Sequence, residues 1–572
     1  MLVVFFLLGT GVFPAEDEKY QVYYSAVDSL SISELTFDEM HFYRSEYFPL
    51  SLAEEGRQSV SSWRGMPPGY LDYSFRQVPL LHPLWGYWDN QLLPLEITRT
   101  EYWAAPTYRY QISPVRVYPS ARPVSRVAYA QDMQFGLSYL DVGLSQYYRP
   151  GSYFRLGGNN FLRTGTAGNL TQIQVNTYRG QIHHQLSSRL SIDLWYWQLR
   201  HRFRLGQYPY FDLSRRVHRI GQVGWVSLKY SPDSSQVLIL IPHGNKWGDR
   251  YRVEDYSEQR KTELYSLGLI LMYKKTFEKG WWELRAEGIR HEITRAFLFR
   301  EMSQRDGAAR LNMGRRWKNL EVQLGGNYRH SQYVGGSPGL NFQLNWEPLR
   351  RVRAQIDLSR EPQNLPLATL SWKGGNIKSI SDPKVPIRQG ASGSLSFPFL
   401  PGSSLSIGSF YHEFENAWVY SRNNSAFTQT NYWNSGVNSR IALNLWFFNL
   451  ENELTYNYNY QNGFAPEINN ILKLNLPIHL FKRALKLDGY ALYHYIGKWR
   501  ILEYEPLTNQ YLQTNTPGGQ HHLIDFKVLA HIKSATLFFV WKNVLSQDYA
   551  LVEGYWNFFL TFRFGVYWTL FD

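Results

Sequence analysis

The sequence predicts an all-β protein: a single transmembrane antiparallel up-and-down β-barrel of about 18–20 strands, behind a short N-terminal segment that is not part of the barrel. Three observations carry this. Runs of roughly ten residues with period two recur along the 572-residue chain, separated alternately by short turns and long polar connections. Aromatic residues make up 17%, with 42 Tyr, 33 Phe and 20 Trp, more than a soluble core needs but suited to the head-group level of a bilayer. Mean hydropathy is nevertheless −0.40. That is too polar for helices that each need about 20 consecutive apolar residues, and natural for strands that turn half their side chains to water.

The elements follow in chain order. Residues 1–15, MLVVFFLLGTGVFPA, have an apolar run before Pro14 and Ala15 and then acids, which resembles a secretory signal peptide without the usual charged start. Residues 16–123 do not phase as barrel strands. They hold Pro-rich aromatic patches such as RGMPPGY (64–70), LLHPLWGYW (80–88) and EYWAAPTYRY (101–110), so this segment is expected to be a periplasmic extension or an insert in the lumen, packed at least in part. Residues 124–572 are assigned to the barrel.

Net charge is +13, unevenly placed. Residues 16–57 contain ten acids against three bases, a charge of −7, which leaves +20 for the remainder. Basic clusters stand at RHRFR (200–204), RRVHR (215–219) and RRVR (350–353); they are brief, scattered and without a recognition motif, so nucleic acid is not an expected partner. Solvated loop ends or contacts with anionic lipid head groups account for them better. The absence of Cys means that folding needs no oxidation.

Within the body, tight turns are read at 187–188, 231–235, 277–280, 316–319 and 347–350, and long connections at 244–261, 373–390, 423–436 and 503–520. Short turns on one rim and long loops on the other are the outer-membrane pattern, with the long loops outside the cell. Several strands can be phased. In HHLIDFKVLAHI, His522, Ile524, Phe526, Val528 and Ala530 share one face, with Asp525 and Lys527 opposite. In ALKLDGYALYHY, Leu485, Leu487, Ala491 and Tyr493 face lipid, while Lys486, Asp488 and His494 face inward. RVRAQIDLS turns Arg353 and Asp357 inward. The reversed phase would cost about 2–4 kcal/mol for each Arg or Lys placed near the midplane. In LSIDLWYWQLRHRF the apolar phase slips near Trp195 and leaves the direction of Asp193 open.

The last stretch, FFLTFRFGVYWTLFD, sets Phe564 and Trp568 on an apolar row and Arg563 on the other. With PVSRVAYAQDMQFGLSYLDVGLSQYYRPGSYFRLGG (123–158) and NVLSQDY (543–549), it gives the chain the style of a known family: it resembles the Bacteroidota-type putative-porin family. The resemblance implies an outer-membrane diffusion channel that admits small solutes, a C-terminal strand recognised by barrel-assembly machinery through Phe564, Trp568 and Phe571, and a setting in outer-membrane lipid. A penultimate Phe571 followed by Asp572 departs from the strict terminal-Phe form. The NVLSQDY pattern also occurs in TonB-dependent transporters.

No enzyme motif is recognisable, whether G-x-S-x-G, P-loop or Cys-pair metal site. His183/His184 and His521/His522 are adjacent on strands and point to opposite faces, so neither pair can chelate one ion. No cofactor is expected. The pore-lining candidates are therefore Arg353, Asp357, Lys486, Asp488, His494, Asp525, Lys527 and Arg563, which would set field and width. Passive diffusion leads; the alternatives are a TonB-dependent-type transporter barrel and an outer-membrane adhesin or assembly component. A homo-oligomer is compatible with each.

Overall fold

The computed structural model describes residues 30–571 apart from 54, 96–97, 105–108, 115–116, 118–121, 133, 165–171, 206–214, 254–259, 297, 350–351, 374–376, 401, 423, 446, 507 and 558–559. The signal-peptide assignment at 1–15 lies outside the described residues.

Among these residues, 22 antiparallel strands close into one barrel. The seam forms where Thr561–Phe571 pairs with Val124–Asp132, from Arg563 opposite Asp132 to Phe571 opposite Val124. Closure leaves no edge strand, so every ladder group inside the bilayer has a partner. Alternation fixes the faces: in His521–Ile532, Leu523, Asp525, Lys527 and Leu529 are buried while Phe526 is exposed. Elsewhere Leu267 and Leu340 are about 70% exposed (72% and 68%). These apolar rows have no protein partner, and lipid is the solvent that covers them. Phe564 and Trp568 stand on the same outward face, beside the buried Arg563. Phe564→Arg and Trp568→Arg are each expected to block assembly, seen as loss of the heat-modifiable band on a mildly denaturing gel. Thr561→Arg, on the other row, should be tolerated better; equal damage from both rows would contradict the assigned phase.

The barrel has 22 strands where the sequence predicts about 18–20, and its strand bounds and phases differ from the sequence reading for two physical reasons. Several segments read as loops are strand: residues 244–253 belong to Gln236–Val253, and residues 426–436 to Ala426–Asn444. Crossing a bilayer needs only about 9–11 residues, whereas Arg215–Asp233, Ser403–Ser421 and Ala426–Asn444 have 19 each, so the wall continues beyond the hydrocarbon on the long-loop side. The second reason is that inward rows are not always polar. Trp195 and Trp197 are buried inward, and Asp193, on the same row, points inward to Arg76 at 3.2 Å. Above the outer rim, Trp499–Glu505, Gln510–Gly518, Tyr549–Val552 and Tyr555–Asn557 form a separate four-stranded sheet.

The N-terminal segment has its own structure. Tyr47–Ser51 and Ser59–Trp63 form a hairpin. Val78–Leu80, Asp72–Phe75, Arg109–Pro114 and Thr98–Ala104 form a mixed sheet in which Asp72–Phe75 runs parallel to Arg109–Pro114. The short helix Phe37–Phe42 starts at Thr36, whose hydroxyl accepts from Glu39 N, while the Glu39 carboxylate accepts from Leu35 N; this reciprocal cap satisfies two free N–H groups.

Candidate functional site: the occupied lumen

The segment from Leu30 to Val117 makes side-chain contacts with strands spaced around the whole barrel. Glu39 reaches Arg563, Ser45 reaches Thr455, Tyr70 reaches Phe414 and Trp418, Gln77 reaches Arg285, and Asp89 reaches His201 and Arg219. A closed wall allows all of these contacts only from within. The segment is therefore a plug, and its core and the inward apolar side chains of the barrel form one buried cluster.

Charge holds it at the seam. Arg563 Nη1 donates to Glu39 Oε1 at 2.8 Å and Nη2 to the Ser33 carbonyl at 2.9 Å. Lys542 contacts Glu39 and donates to Glu55 at 2.6 Å. Lys527, fully buried, pairs with Glu34 and lies 4.7 Å from the Tyr43 ring centre. Tyr43 donates to Asp525. The acidic excess of the N-terminal residues thus meets basic side chains of the wall, and the uneven charge of the sequence becomes a docking force. Burial alone would raise the Glu39 carboxyl, but Arg563 and Lys542 hold it well below the ordinary value.

A second polar anchor sits toward the outer rim, five to six strands round the wall from the strand of Arg563. His201 Nδ1 is 2.8 Å from Asp89 Oδ2 and its Nε2 2.7 Å from the Gly56 carbonyl. Arg219 bridges Asp89 (3.3 Å) and Asp249 (3.1 Å). A third anchor is Arg388, which donates to the Tyr70 carbonyl (2.6 Å) and to Glu361 (3.0 Å). The two strands of the second anchor also carry an aromatic socket: the Phe75 ring stands 5.0, 4.9 and 5.6 Å from Trp195, Trp197 and Trp225. Two glycines let the plug press on the wall, since a Cβ on Gly69 would fall 2.5 Å from Trp418 and one on Gly86 2.4 Å from Pro366; both have positive φ, which glycine adopts without strain.

The eight pore-lining candidates can now be placed. Asp525, Lys527 and Arg563 face inward but are covered by the plug. His494 is buried too, with Nε2 2.6 Å from Asn469 Oδ1 and its ring 4.6 Å from Phe42. Asp357 accepts from Gln355 (2.7 Å) and Ser392 (3.3 Å) and is buried. Asp488, also buried, pairs with Lys486 (2.8 Å) and His531 (2.9 Å). Only Arg353 and Lys486 of the eight have open side chains, 67% and 42% exposed, and Arg353 is 2.9 Å from Glu347. Six of the eight therefore sit in packed contacts, because the plug and neighbouring wall residues take the space that water was expected to hold. Phe571 is the last paired residue; its side chain lies outside the described residues. The decisive residues missed from sequence are Glu34, Glu39, Tyr43, Phe75, Asp89, His201 and Arg219. Their traces were the −7 segment and the phase slip at Trp195.

A cavity of about 140 Å³ remains between plug and seam, lined by Glu39, Glu55, Arg163, Lys542, Asp525 and Trp556 among others. It is large enough to hold several water molecules. Beside it, burial pushes the Asp38 carboxyl from 3.8 up to about 6, and burial together with Glu39 raises Glu55. A raised carboxyl means that the docked plug keeps a proton which the released plug surrenders between about pH 4 and 6. Docking is then strongest near pH 4 and weakens as pH rises to 6, by up to roughly 3 kcal/mol for Asp38. Glu39 has the opposite sign, and its contribution is lost only well below its ordinary value of 4.5. The urea midpoint for plug release should be higher at pH 4.5 than at pH 7, and Asp38→Asn should flatten the difference; a flat profile in the parent protein would contradict this.

Comparison with known proteins agrees with this architecture. Residues 418–572 match the model of a family described as "Putative porin". Among curated proteins, no sequence match was found. The fold is shared with solved structures: the siderophore receptor PirA of Acinetobacter baumannii, at 10% identity and TM-score 0.76, with 98% of each chain covered; a mutant of the ferric enterobactin receptor PfeA of Pseudomonas aeruginosa, at 12% and 0.79, with 98% of this chain and 100% of that one covered; and the FrpB iron transporter of Neisseria meningitidis, at 9% and 0.77, with 96% and 98% covered. The chain is a bacterial outer-membrane β-barrel, and its residues 418–572 carry the signature of the "Putative porin" family.

Proposed function

We propose that this barrel is a gated transporter of the TonB-dependent type, in which the plug must shift before a solute passes, and not a passive porin. The observation that carries the reading is the plug itself: the described residues of 30–117 occupy the lumen through ion pairs at three places on the wall. An open diffusion channel needs an unbroken aqueous bore. The fold likeness to siderophore receptors and an iron transporter, near 10% identity, supports a transport role in preference to catalysis. Solutes would enter from the side of the long loops, where Asn509 bonds to Gln58 and Tyr87 of the plug, so that a solute seated there can act on the plug directly.

Liposome swelling tests this. Proteoliposomes containing the intact chain are expected not to swell in isotonic arabinose or glucose, whereas swelling at the rate of an open porin would overturn the gated reading and restore passive diffusion.

A further inference from the structure

Within the basic clusters at 200–204 and 215–219, His201 and Arg219 hold the plug, but alternation turns Arg200, Arg202, Arg204, Arg216 and His218 outward. On Leu190–Leu205 the inward residues Trp197, Leu199, His201 and Phe203 are buried, which leaves Arg200, Arg202 and Arg204 facing away from the plug. The ladder then aligns them with basic residues on the next three strands. Arg202 is opposite His218, His218 opposite Arg250, and Arg250 opposite Lys261. One residue pair higher, Arg204 faces Arg216; four residues along from Arg250, Lys246 lies 5.0 Å from the ring of Tyr265. Arg202 Nε donates to His218 Nε2 at 3.2 Å, so that imidazole is neutral and extends the donor surface. Lys261 pairs with Glu263 on its own strand. Among the described residues of the other three strands, no carboxylate shares this face above the apolar band: Asp193 and Asp249 both point inward, to Arg76 and Arg219.

Height is as informative as charge. From the lower edge of the basic row downward, the outward face reads Tyr265, Leu267, Leu269, Leu271 and Tyr273 on one strand and Ile220, Gln222, Gly224, Val226, Leu228 and Tyr230 on another. Tyr265 to Tyr273 is eight residues, about 26 Å along the strand and about 20 Å in height once tilt is included, which fits within the roughly 25 Å apolar band of such barrels with an aromatic girdle at each edge. Lys261 stands four residues beyond Tyr265, about 10 Å above the girdle once strand tilt is included. That is the depth of the outer-leaflet head groups.

We propose that this outward row of Arg200, Arg202, Arg216, Arg250, Lys246 and Lys261 is a binding site for a phosphate-bearing lipid of the outer leaflet. The arginine forks and the lysines supply charge-assisted donors to phosphate oxygens, and the apolar band beneath supplies the surface for acyl chains. A free phosphate would gain only the first of these, so the lipid is the occupant. The role is independent of whether the barrel is gated or open.

The test uses the full-length protein in detergent micelles, titrated with a diphosphorylated lipid A, with the same lipid after enzymatic dephosphorylation, and with inorganic phosphate. The unmodified protein is expected to bind the phosphorylated lipid at least tenfold more tightly than the dephosphorylated one, and millimolar phosphate should not compete. Each surface charge near a charged bilayer is worth about a fivefold change, so R202Q/R216Q/R250Q should weaken binding on the order of 100-fold, while R202K/R216K/R250K should retain most of it. Heat-modifiable mobility establishes that both variants are folded. Equal affinity for the two lipids, or unchanged affinity in a folded triple-glutamine variant, overturns the proposal. Effective competition by inorganic phosphate overturns it as well, since the site would then be a simple anion patch.

Discussion

Glu39→Gln is expected to loosen the plug more than any other single change at the seam. The carboxylate accepts from Arg563 and contacts Lys542, both on the barrel wall, and Arg563 is only 4% exposed at its side chain. Removing one partner of a buried ion pair leaves the other charge uncompensated, which costs about 3–5 kcal/mol. Glutamine keeps the shape, so the loss is electrostatic. In planar bilayers with urea on one side, the concentration at which current first appears should fall by about 1–5 M, taking an m-value of roughly 1–3 kcal/mol/M. Glu55 lies near the same cations, 3.6 Å from Arg563, and sets a limit on how far the loss can go. A midpoint identical to that of the parent would mean that the cations do not depend on Glu39.

Phe75→Ala attacks a different part of the wall by a different mechanism. Phe75 is fully buried among Trp195, Trp197 and Trp225, and truncating a buried Phe to Ala costs about 3–5 kcal/mol in lost burial and residual cavity. The wall itself keeps all its ladder bonds, so heat-modifiable mobility should stay normal while the urea midpoint for current drops as far as in Glu39→Gln. Phe75→Leu should lose less than half as much. If Phe75→Ala instead abolished assembly, the socket would belong to barrel folding and not to docking. Because the two sites lie on strands five to six places apart in the barrel and share no partner, their effects should add.

Much of the wall could be read from alternation, since a strand has only two faces and lipid tolerates few errors on one of them. The rows Leu485, Leu487, Ala491 and Tyr493 against Lys486, Asp488 and His494 are arranged as the sequence implies, and so is the C-terminal strand around Arg563. Legibility failed where the inner face is also apolar. Trp195 and Trp197 look like lipid-facing residues one step out of phase, and only the ring of Phe75, 120 residues earlier, explains them. The site was harder still. Glu39 and Arg563 are 524 residues apart, and no local pattern announces a partner at that distance. The opposite charges of the two regions implied attraction between them, but charge sums name no residues. The outer extensions were missed because GNKWGDRYRV and SAFTQTNYWNSG are mostly polar, as loops are; Trp247, Phe427 and Tyr432 are buried inward, but a strand standing in water above the bilayer has no outward apolar row to reveal it.

The most direct measurement of the plug is a cross-link in the membrane. Ser45 Oγ lies 2.9 Å from Thr455 Oγ1, one on the N-terminal segment and the other on the strand Asn449–Asn457, and the sequence has no Cys to interfere. In Ser45→Cys/Thr455→Cys, sulfur atoms at these positions would be within reach of a disulfide. In isolated outer membranes under mild oxidation, nearly every molecule should form the intramolecular bond, giving a reduction-sensitive shift in the mobility of the heat-denatured chain and no reaction with maleimide. Free thiols in most molecules, both labelled by maleimide and unshifted on the gel, would place residues 30–117 outside the lumen and contradict the account.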